Sequence, residues 1–293
     1  MEQLTMELFQ YPYMQRALIG ALVIGLAAPA LGIYLVQRRL TLIGDGIGHV
    51  ALTGVGAGLL LNRSPVLVAV VVATLGAITI ELVRARGRTS GDLALALLFY
   101  GGIAGGVMLV GLSDATSANL NAYLFGSLTT ISPQDLITIA VLGAAILVTM
   151  LALRPALFAV CHDEEYARVA GLPVRTLNLL LAVATAVTVT IAMRAVGVLL
   201  ISALMVVPVA TAQQVTRGFR STMTAAMALG LFAAGSGVWV AATADTAPGA
   251  SVVLLAIASF LVVALAAAGW RTLRRRSTPT GTPAPEPHEV VLR

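Results

Sequence analysis

Nine stretches of the chain are long and almost wholly apolar. They run approximately Ala17–Val36, Gly46–Leu61, Pro65–Val83, Leu93–Leu112, Leu136–Leu153, Leu177–Met193, Val196–Val215, Thr222–Thr243 and Ala250–Gly269. About 20 apolar residues in helical form cross the ~30 Å hydrocarbon layer of a bilayer. The runs are continuous in Leu, Ala and Val, without the polar-apolar alternation of a membrane β-barrel strand. The pattern therefore predicts an all-α, polytopic bundle of transmembrane helices. Two segments are unusual. Gly46–Leu61 is short and glycine-rich, and Val196–Val215 carries Pro208 and ends in polar residues. Either can be a broken or partial helix, so eight or nine spans are expected.

Composition agrees with the pattern. Hydrophobic residues make up 58% of 293 positions and charged residues 11%, with mean hydropathy +0.94; a soluble domain carries roughly 25% charged residues. The 28 glycines suit close helix packing in lipid, where small residues let backbones approach. The N-terminus (MEQLTMELFQYPYMQRAL) lacks the basic start and cleavage site of a signal peptide, so the first apolar segment is expected to be retained. Residues 1–276 read as one transmembrane domain. Residues 277–293 are Pro/Thr-rich and polar and are expected to be a disordered cytoplasmic tail.

Charge orients the bundle. All basic residues are arginines, and the formal net charge is +5. Without lysine the chain cannot form a P-loop or a Schiff base, so any ATP hydrolysis must come from another polypeptide. Arg38 and Arg39 follow the first segment, Arg84, Arg86 and Arg88 the third, Arg154, Arg168 and Arg175 the fifth, Arg217 and Arg220 the seventh, and Arg271, Arg274, Arg275 and Arg276 the ninth. If all nine segments span, these groups share one face, which the positive-inside rule makes cytoplasmic. The N-terminal end then lies outside, with Arg63, Asp114 and Asp245. Arg194 breaks the rule, because it falls on the outer side.

Asp45 and His49 are the first candidate pair. Their i, i+4 spacing puts both on one helix face, one turn apart, and a carboxylate with an imidazole suits Zn²⁺ or Mn²⁺. An intramembrane acid costs roughly 2.5–3.5 kcal/mol on insertion scales, so Asp45 calls for a reason. Two ligands are too few for a tetrahedral site, whereas a homodimer with this face on its axis supplies four. An equally good reading makes Asp45 a helix cap and His49 a hydrogen-bonding partner of a neighbouring helix.

The second candidate is the loop Arg154–Thr176. Asp163–Ala170 (Asp163, Glu164, Glu165, Tyr166, Ala167, Arg168, Val169, Ala170) can form a short helix with acids first and arginine later, as the macrodipole prefers. Gly171 suits its C-terminal cap. Such a helix on the cytoplasmic face can dock a separate ATPase. An ordinary solvated loop is the default for this stretch taken alone, and a metal site from Cys161, His162, Asp163, Glu164 and Glu165 is a weaker alternative. Asn119, Asn121 and Tyr123 lie in a half-apolar piece that is re-entrant or interfacial, with its aromatics as interface anchors. Pro208 reads as a kink and Asp245 as the cap of an external turn. No GxSxG, HExxH or CxxC motif is present.

Taken in order, six blocks resemble the membrane subunit of the zinc/manganese/iron class of ABC importers, over about Tyr11 to Trp270. They are YPYMQRAL with QRRLTLIGDGIGHVALTGVGAG, then NLNAYLFGSL, HDEEYARVAGLPV, VGVLLISALMVVPVATAQQ and DTAPGASVVL. The resemblance implies a homodimeric permease in a bacterial cytoplasmic membrane, with an ABC ATPase subunit, an extracytoplasmic metal-binding protein and surrounding lipid as partners. It implies no nucleic-acid partner and no resident cofactor. By the same resemblance, Asp45 and His49 are the intramembrane metal ligands and Asp163–Gly171 is the ATPase contact. Ser127 stands where the family often carries an acid and is assigned no metal role. The surroundings of Asp45 and His49 are closer to the zinc-importing branch, which implies transported Zn²⁺, with Mn²⁺ as the alternative.

Overall fold

The computed structural model describes residues 11–85, 91–113, 117–127, 129–198 and 200–276. Arg86, Arg88, Asp114 and the 277–293 tail lie outside the described residues. Those that are described form helices α1 (Pro12–Gln37), α2 (Ile43–Leu60), α3 (Pro65–Ala85), α4 (Gly91–Gly111), α5 (Ser117–Phe125), α6 (Pro133–Ala152), α7 (Arg154–His162), α8 (Glu164–Val169), α9 (Val174–Ala192), α10 (Ile201–Gln213), α11 (Phe219–Ala244) and α12 (Pro248–Arg276), with no strand among them. Eight of the helices are long and apolar enough to span: α1, α2, α3, α4, α6, α9, α11 and α12.

The helices start where the sequence supplies a start signal. Pro12, whose missing N–H costs nothing in a first turn, opens α1. Ser132 caps α6 through a reciprocal box: its hydroxyl accepts from the Asp135 N–H at 3.1 Å, and the Asp135 carboxylate accepts from the Ser132 N–H at 3.0 Å. The glycine-rich second segment is one unbroken helix, α2, beginning at Ile43.

α1, α2 and α9 form the buried centre, while α3, α4, α6 and α12 lie mostly at the periphery. α2 packs most extensively on α4 and α3, and α1 on α11. Three buried hydroxyls of α9 are satisfied within their own helix. The buried hydroxyls of Thr185, Thr188 and Thr190 each donate to the carbonyl one turn back, at 2.7, 2.8 and 2.7 Å. This is how a hydroxyl is accommodated where no water is at hand. Tyr34, fully buried in α1, donates to the Met150 carbonyl at 2.8 Å and so ties α1 to α6.

The segment read as Val196–Val215 is only partly helical. α10 has 13 residues, about 20 Å at 1.5 Å per residue, too short to cross alone. The preceding stretch is non-helical: Gly197 has φ +90, and the Val198 N–H donates to the Tyr123 carbonyl of α5 at 3.0 Å. The break therefore precedes α10, and the helix runs through Pro208 without interruption. Val198 and the first turn of α10 lie beside α2, where a Cβ on Gly48 would lie 2.9 Å from Val198 Cγ2 and one on Gly44 would lie 2.7 Å from Ser202 Oγ. The open backbone of the break is thus covered by α5 on one side and α2 on the other. That is the circumstance in which irregular backbone is tolerated at membrane depth.

The two rims separate by charge. Arg38, Arg84, Arg168 and Arg175 gather around one cavity. The opposite rim joins Tyr13 to Ser127 and Asp245, placing the start of α1 beside the end of α11. Asp245 ends α11 in the left-handed conformation, φ 48, as the expected cap of a turn. Tyr123 departs from the anchor reading: it is buried at 9% exposure beneath Arg194, whose guanidinium stands 5.8 Å from its ring.

Candidate metal site and short surface helix

Asp45 occupies the first turn of α2 and His49 the second. Leu42, not Asp45, is the helix N-cap, and no side chain caps that end. The capping reading of Asp45 is therefore overturned. A carboxylate at the third helical position can reach back to the first N–H groups, as Asp135 does in α6, but Asp45 makes no such bond. Asp45 is half-buried and forms no hydrogen bond or ion pair among the described residues.

His49 is buried, at 9% exposure, with its ring edge-on to Phe99 of α4 at a centroid distance of 4.4 Å. Its Nδ1 has no hydrogen-bond partner among the described residues. A buried polar nitrogen without a partner is uncommon enough to require an explanation. Close approach of α4 fixes the ring's setting: a Cβ on Gly102 would lie 2.6 Å from the His49 backbone carbon, and Thr53, one turn on, donates to the Gly102 carbonyl at 2.8 Å. Asp45 and His49 thus share the flank of α2 next to α4, while Gly44 and Gly48 face Ser202 and Val198. Among the described residues no group of three or more His, Cys, Asp or Glu is close enough to hold a metal ion. One chain brings one carboxylate and one imidazole to this flank.

α8 is the second element. It begins and ends within one residue of the sequence expectation. Asp163 caps it, Oδ1 accepting from the Tyr166 N–H at 2.9 Å, and Gly171 follows at φ +79. The helix has two unlike sides. Ala167 is fully buried, and Glu164 points back to Arg38. Tyr166 and Val169 point outward, 68% and 88% exposed. The loop metal site is not formed, because Cys161, His162, Asp163, Glu164 and Glu165 do not converge. Cys161 is ill suited to it as well: burial pushes its thiol up to about 11, with Arg38 lowering it and Glu164 raising it, and the metal ligand would be the thiolate.

Sequence reasoning missed three contacts: Phe99 against His49, Asn178 between Arg38 and Glu164, and Arg194 with Asp135. Only the last left a signal, an arginine on the wrong side for the charge rule. Ser127, set aside as a ligand, contacts Thr129 Oγ1 at 3.3 Å.

Residues 10–267 match the ABC 3 transport family. The chain belongs to that family. Among curated ABC-3 relatives, it is 30% identical to the high-affinity zinc uptake system membrane protein ZnuB of Haemophilus influenzae, covering 84% of this chain and 94% of the relative. It is 30% identical to the manganese transport system membrane protein MntC of Halalkalibacterium halodurans, covering 87% of each. It is 33% identical to the chelated iron transport system membrane protein YfeD of Yersinia pestis, covering 89% and 88%. The solved structure of PsaBC from Streptococcus pneumoniae in complex with Fab superposes with TM-score 0.84 at 29% identity, over 94% of this chain and 100% of that one. The ABC-3 chain described here is thus a multi-pass, all-helical membrane permease of an ABC-type metal importer.

Proposed function

We propose that this permease imports zinc, as one of two identical membrane subunits. The observation that carries the reading is the pairing of Asp45 with His49 on one flank of a buried helix, His49 Nδ1 being free of any hydrogen bond. Two copies with this flank on their shared axis supply two carboxylates and two imidazoles, which replace part of the hydration shell of a divalent ion. Carboxylate oxygen with imidazole nitrogen suits zinc and also manganese. Zinc is favoured by the likeness of the segment around Asp45 and His49 to the zinc-importing branch. An extracytoplasmic metal-binding protein delivers the ion to the outer mouth. An ATPase subunit docks on Asp163–Gly171, with Tyr166 and Val169 as the apolar contacts, and its ATP cycle tilts the helices to switch access. Neutral imidazole is the ligand form, so uptake weakens once acid protonates His49.

The test is uptake of zinc, manganese and iron, in parallel, by vesicles containing the permease, its ATPase and the delivery protein. ATP-dependent zinc accumulation that collapses in His49→Ala and Asp45→Ala is expected. Accumulation of manganese or iron instead keeps the mechanism and replaces the cargo. Metal-stimulated ATP hydrolysis that persists in both variants removes Asp45 and His49 from the path. No metal accumulation by the intact complex points to a chelate or vitamin as cargo.

A further inference from the structure

Glu164, the first residue of α8, is held from three directions at the arginine-rich rim. Its Oε2 accepts from Arg38 Nη2 at 3.3 Å, and its Oε1 accepts from Asn178 Nδ2 at 3.4 Å and pairs with Arg168 at 3.6 Å. Arg38 closes the ring by donating Nη1 to Asn178 Oδ1 at 2.7 Å. The Arg38 side chain is 10% exposed and Asn178 is 7% exposed. A guanidinium shared between a carboxylate and an amide in so sheltered a place fixes direction as well as distance, since its N–H groups form a rigid fork.

The three residues belong to three elements, and two of those elements frame Asp45 and His49. Arg38 caps the C-terminal end of α1. Beyond it the chain turns tightly into α2, through Arg39 in the left-handed conformation (φ 57), a Leu40 N–H to Leu35 carbonyl bond of 2.8 Å and an Ile43 N–H to Leu40 carbonyl bond of 3.1 Å. Asp45 lies in the first turn after that bend. Asn178 lies in the second turn of α9, whose Val189 faces Gly48 of α2, 3.5 Å from where a Cβ would stand. Glu164 is therefore the single group of α8 bonded both to the turn that leads into Asp45 and to the helix lying against His49's own turn.

We infer that Arg38, Glu164 and Asn178 form a clasp that transmits displacement of α8 to the two helices positioning Asp45 and His49, which makes them positioning residues for transport. The inference rests on the reading of α8 as the ATPase-docking helix. The faces of α8 divide accordingly: Tyr166 and Val169 meet the partner, and Glu164 meets the permease's own levers. Rigid-body motion of α8 then pulls on the α1–α2 turn and on α9 together, so the ligand flank moves as a unit.

The experiment compares vesicles of the full complex carrying Arg38→Gln, Asn178→Ala, Glu164→Gln and the Arg38→Gln/Glu164→Gln double variant. The readouts are metal accumulated per ATP hydrolysed and the amount of ATPase subunit that co-purifies. The expected result is a fall of about 2- to 30-fold in metal per ATP for each single variant, the range by which residues in a coupling network alter communication between sites. The double variant should be no worse than the poorer single, and Arg38→Gln and Asn178→Ala should retain the ATPase subunit. Wild-type metal per ATP in Arg38→Gln and Asn178→Ala, multiplying losses in the double variant, or loss of the ATPase subunit in step with loss of uptake overturns the clasp. If Arg38→Gln fails to reach the membrane, Asn178→Ala decides, since it removes the neutral member of the ring and leaves both charges in place. A wild-type complex that moves no metal overturns the functional reading itself; a coupled wild type with coupled variants overturns the clasp alone.

Discussion

Arg194 and Asp135 meet at 2.6 Å across 59 positions of chain, at the rim opposite the arginine cluster. The second arm of the guanidinium donates to the Thr130 carbonyl at 3.0 Å, and its face lies over Tyr123. An arginine on the outer side is thereby neutralised, and it pins the non-helical stretch before α10 to the start of α6. Asp135 is also held by the Ser132 hydroxyl at 2.7 Å. Removal of either partner leaves the other part-buried and uncompensated, and Arg194→Ala or Asp135→Asn is expected to cost about 2–3 kcal/mol. The double variant should cost clearly less than the sum of the two singles. Thermal unfolding of the detergent-solubilised protein, with all four members of the cycle, gives the answer; additive losses would mean that the pair does not interact.

Gly32 marks one of the tightest approaches among the described residues. A Cβ there would overlap the Met205 carbonyl oxygen of α10. Because both sides of the contact are backbone, Gly32→Ala has to push α1 and α10 apart, and a loss of about 1–3 kcal/mol is expected. Gly101 on α4 is the control, since nothing lies within 4 Å of its Cβ direction. Gly101→Ala should leave the stability of the single chain intact. If it instead weakens self-association on a sizing column, the α4 face is covered by a second copy.

Cys161 offers a pH reading. Its thiol is raised from 9.0 to about 11, chiefly by burial. At neutral pH the folded chain holds little thiolate, so maleimide labelling should be slow and should rise about tenfold per pH unit toward 11. In detergent-denatured chain the rate should level off near the ordinary cysteine value, about 8.5. Because the folded value is the higher one, this group favours folding below 9, and that contribution declines as pH rises from 9 to about 11. Equal labelling rates for folded and denatured chain at pH 8 would contradict the burial of the thiol.

Ser202 carries a buried hydroxyl oxygen with no hydrogen-bond partner, in the first turn of α10. Removing an unsatisfied buried polar group relieves a desolvation penalty. Ser202→Ala is accordingly expected to leave stability unchanged or to raise it by up to about 1 kcal/mol. A marked loss would show that the hydroxyl finds a partner elsewhere in the cycle, and unfolding and uptake measured on the same variant separate the two cases.

The spans were legible because crossing a bilayer demands length and greasiness, and both are properties of composition. α8 was legible to within one residue at each end, since Asp163 and Gly171 are cap residues with a local mechanism. The break before α10 was not. Hydropathy counts the apolar residues at 196–198 as span, whereas their backbone conformation depends on Gly197 meeting the end of α5 about seventy residues away. The role of Asp45 as a cap was misjudged because the α1–α2 turn, closed by Leu40 and Ile43, starts the helix three residues earlier than a cap at that position requires. Asn178 gave no warning either. An asparagine near a helix start is ordinary until the fold sets Arg38 and Glu164 around it.

The half-length of α10 has an electrostatic consequence. Its peptide dipoles sum to about half a positive elementary charge at the N-terminal end, and that end lies not in water but beside Gly44 and Gly48, on the side of α2 away from the Asp45–His49 flank. The spans contain no lysine to play this part. The backbone thus builds a permanent positive potential behind the helix that carries Asp45 and His49, one that no proton can titrate and no side-chain rotation can withdraw.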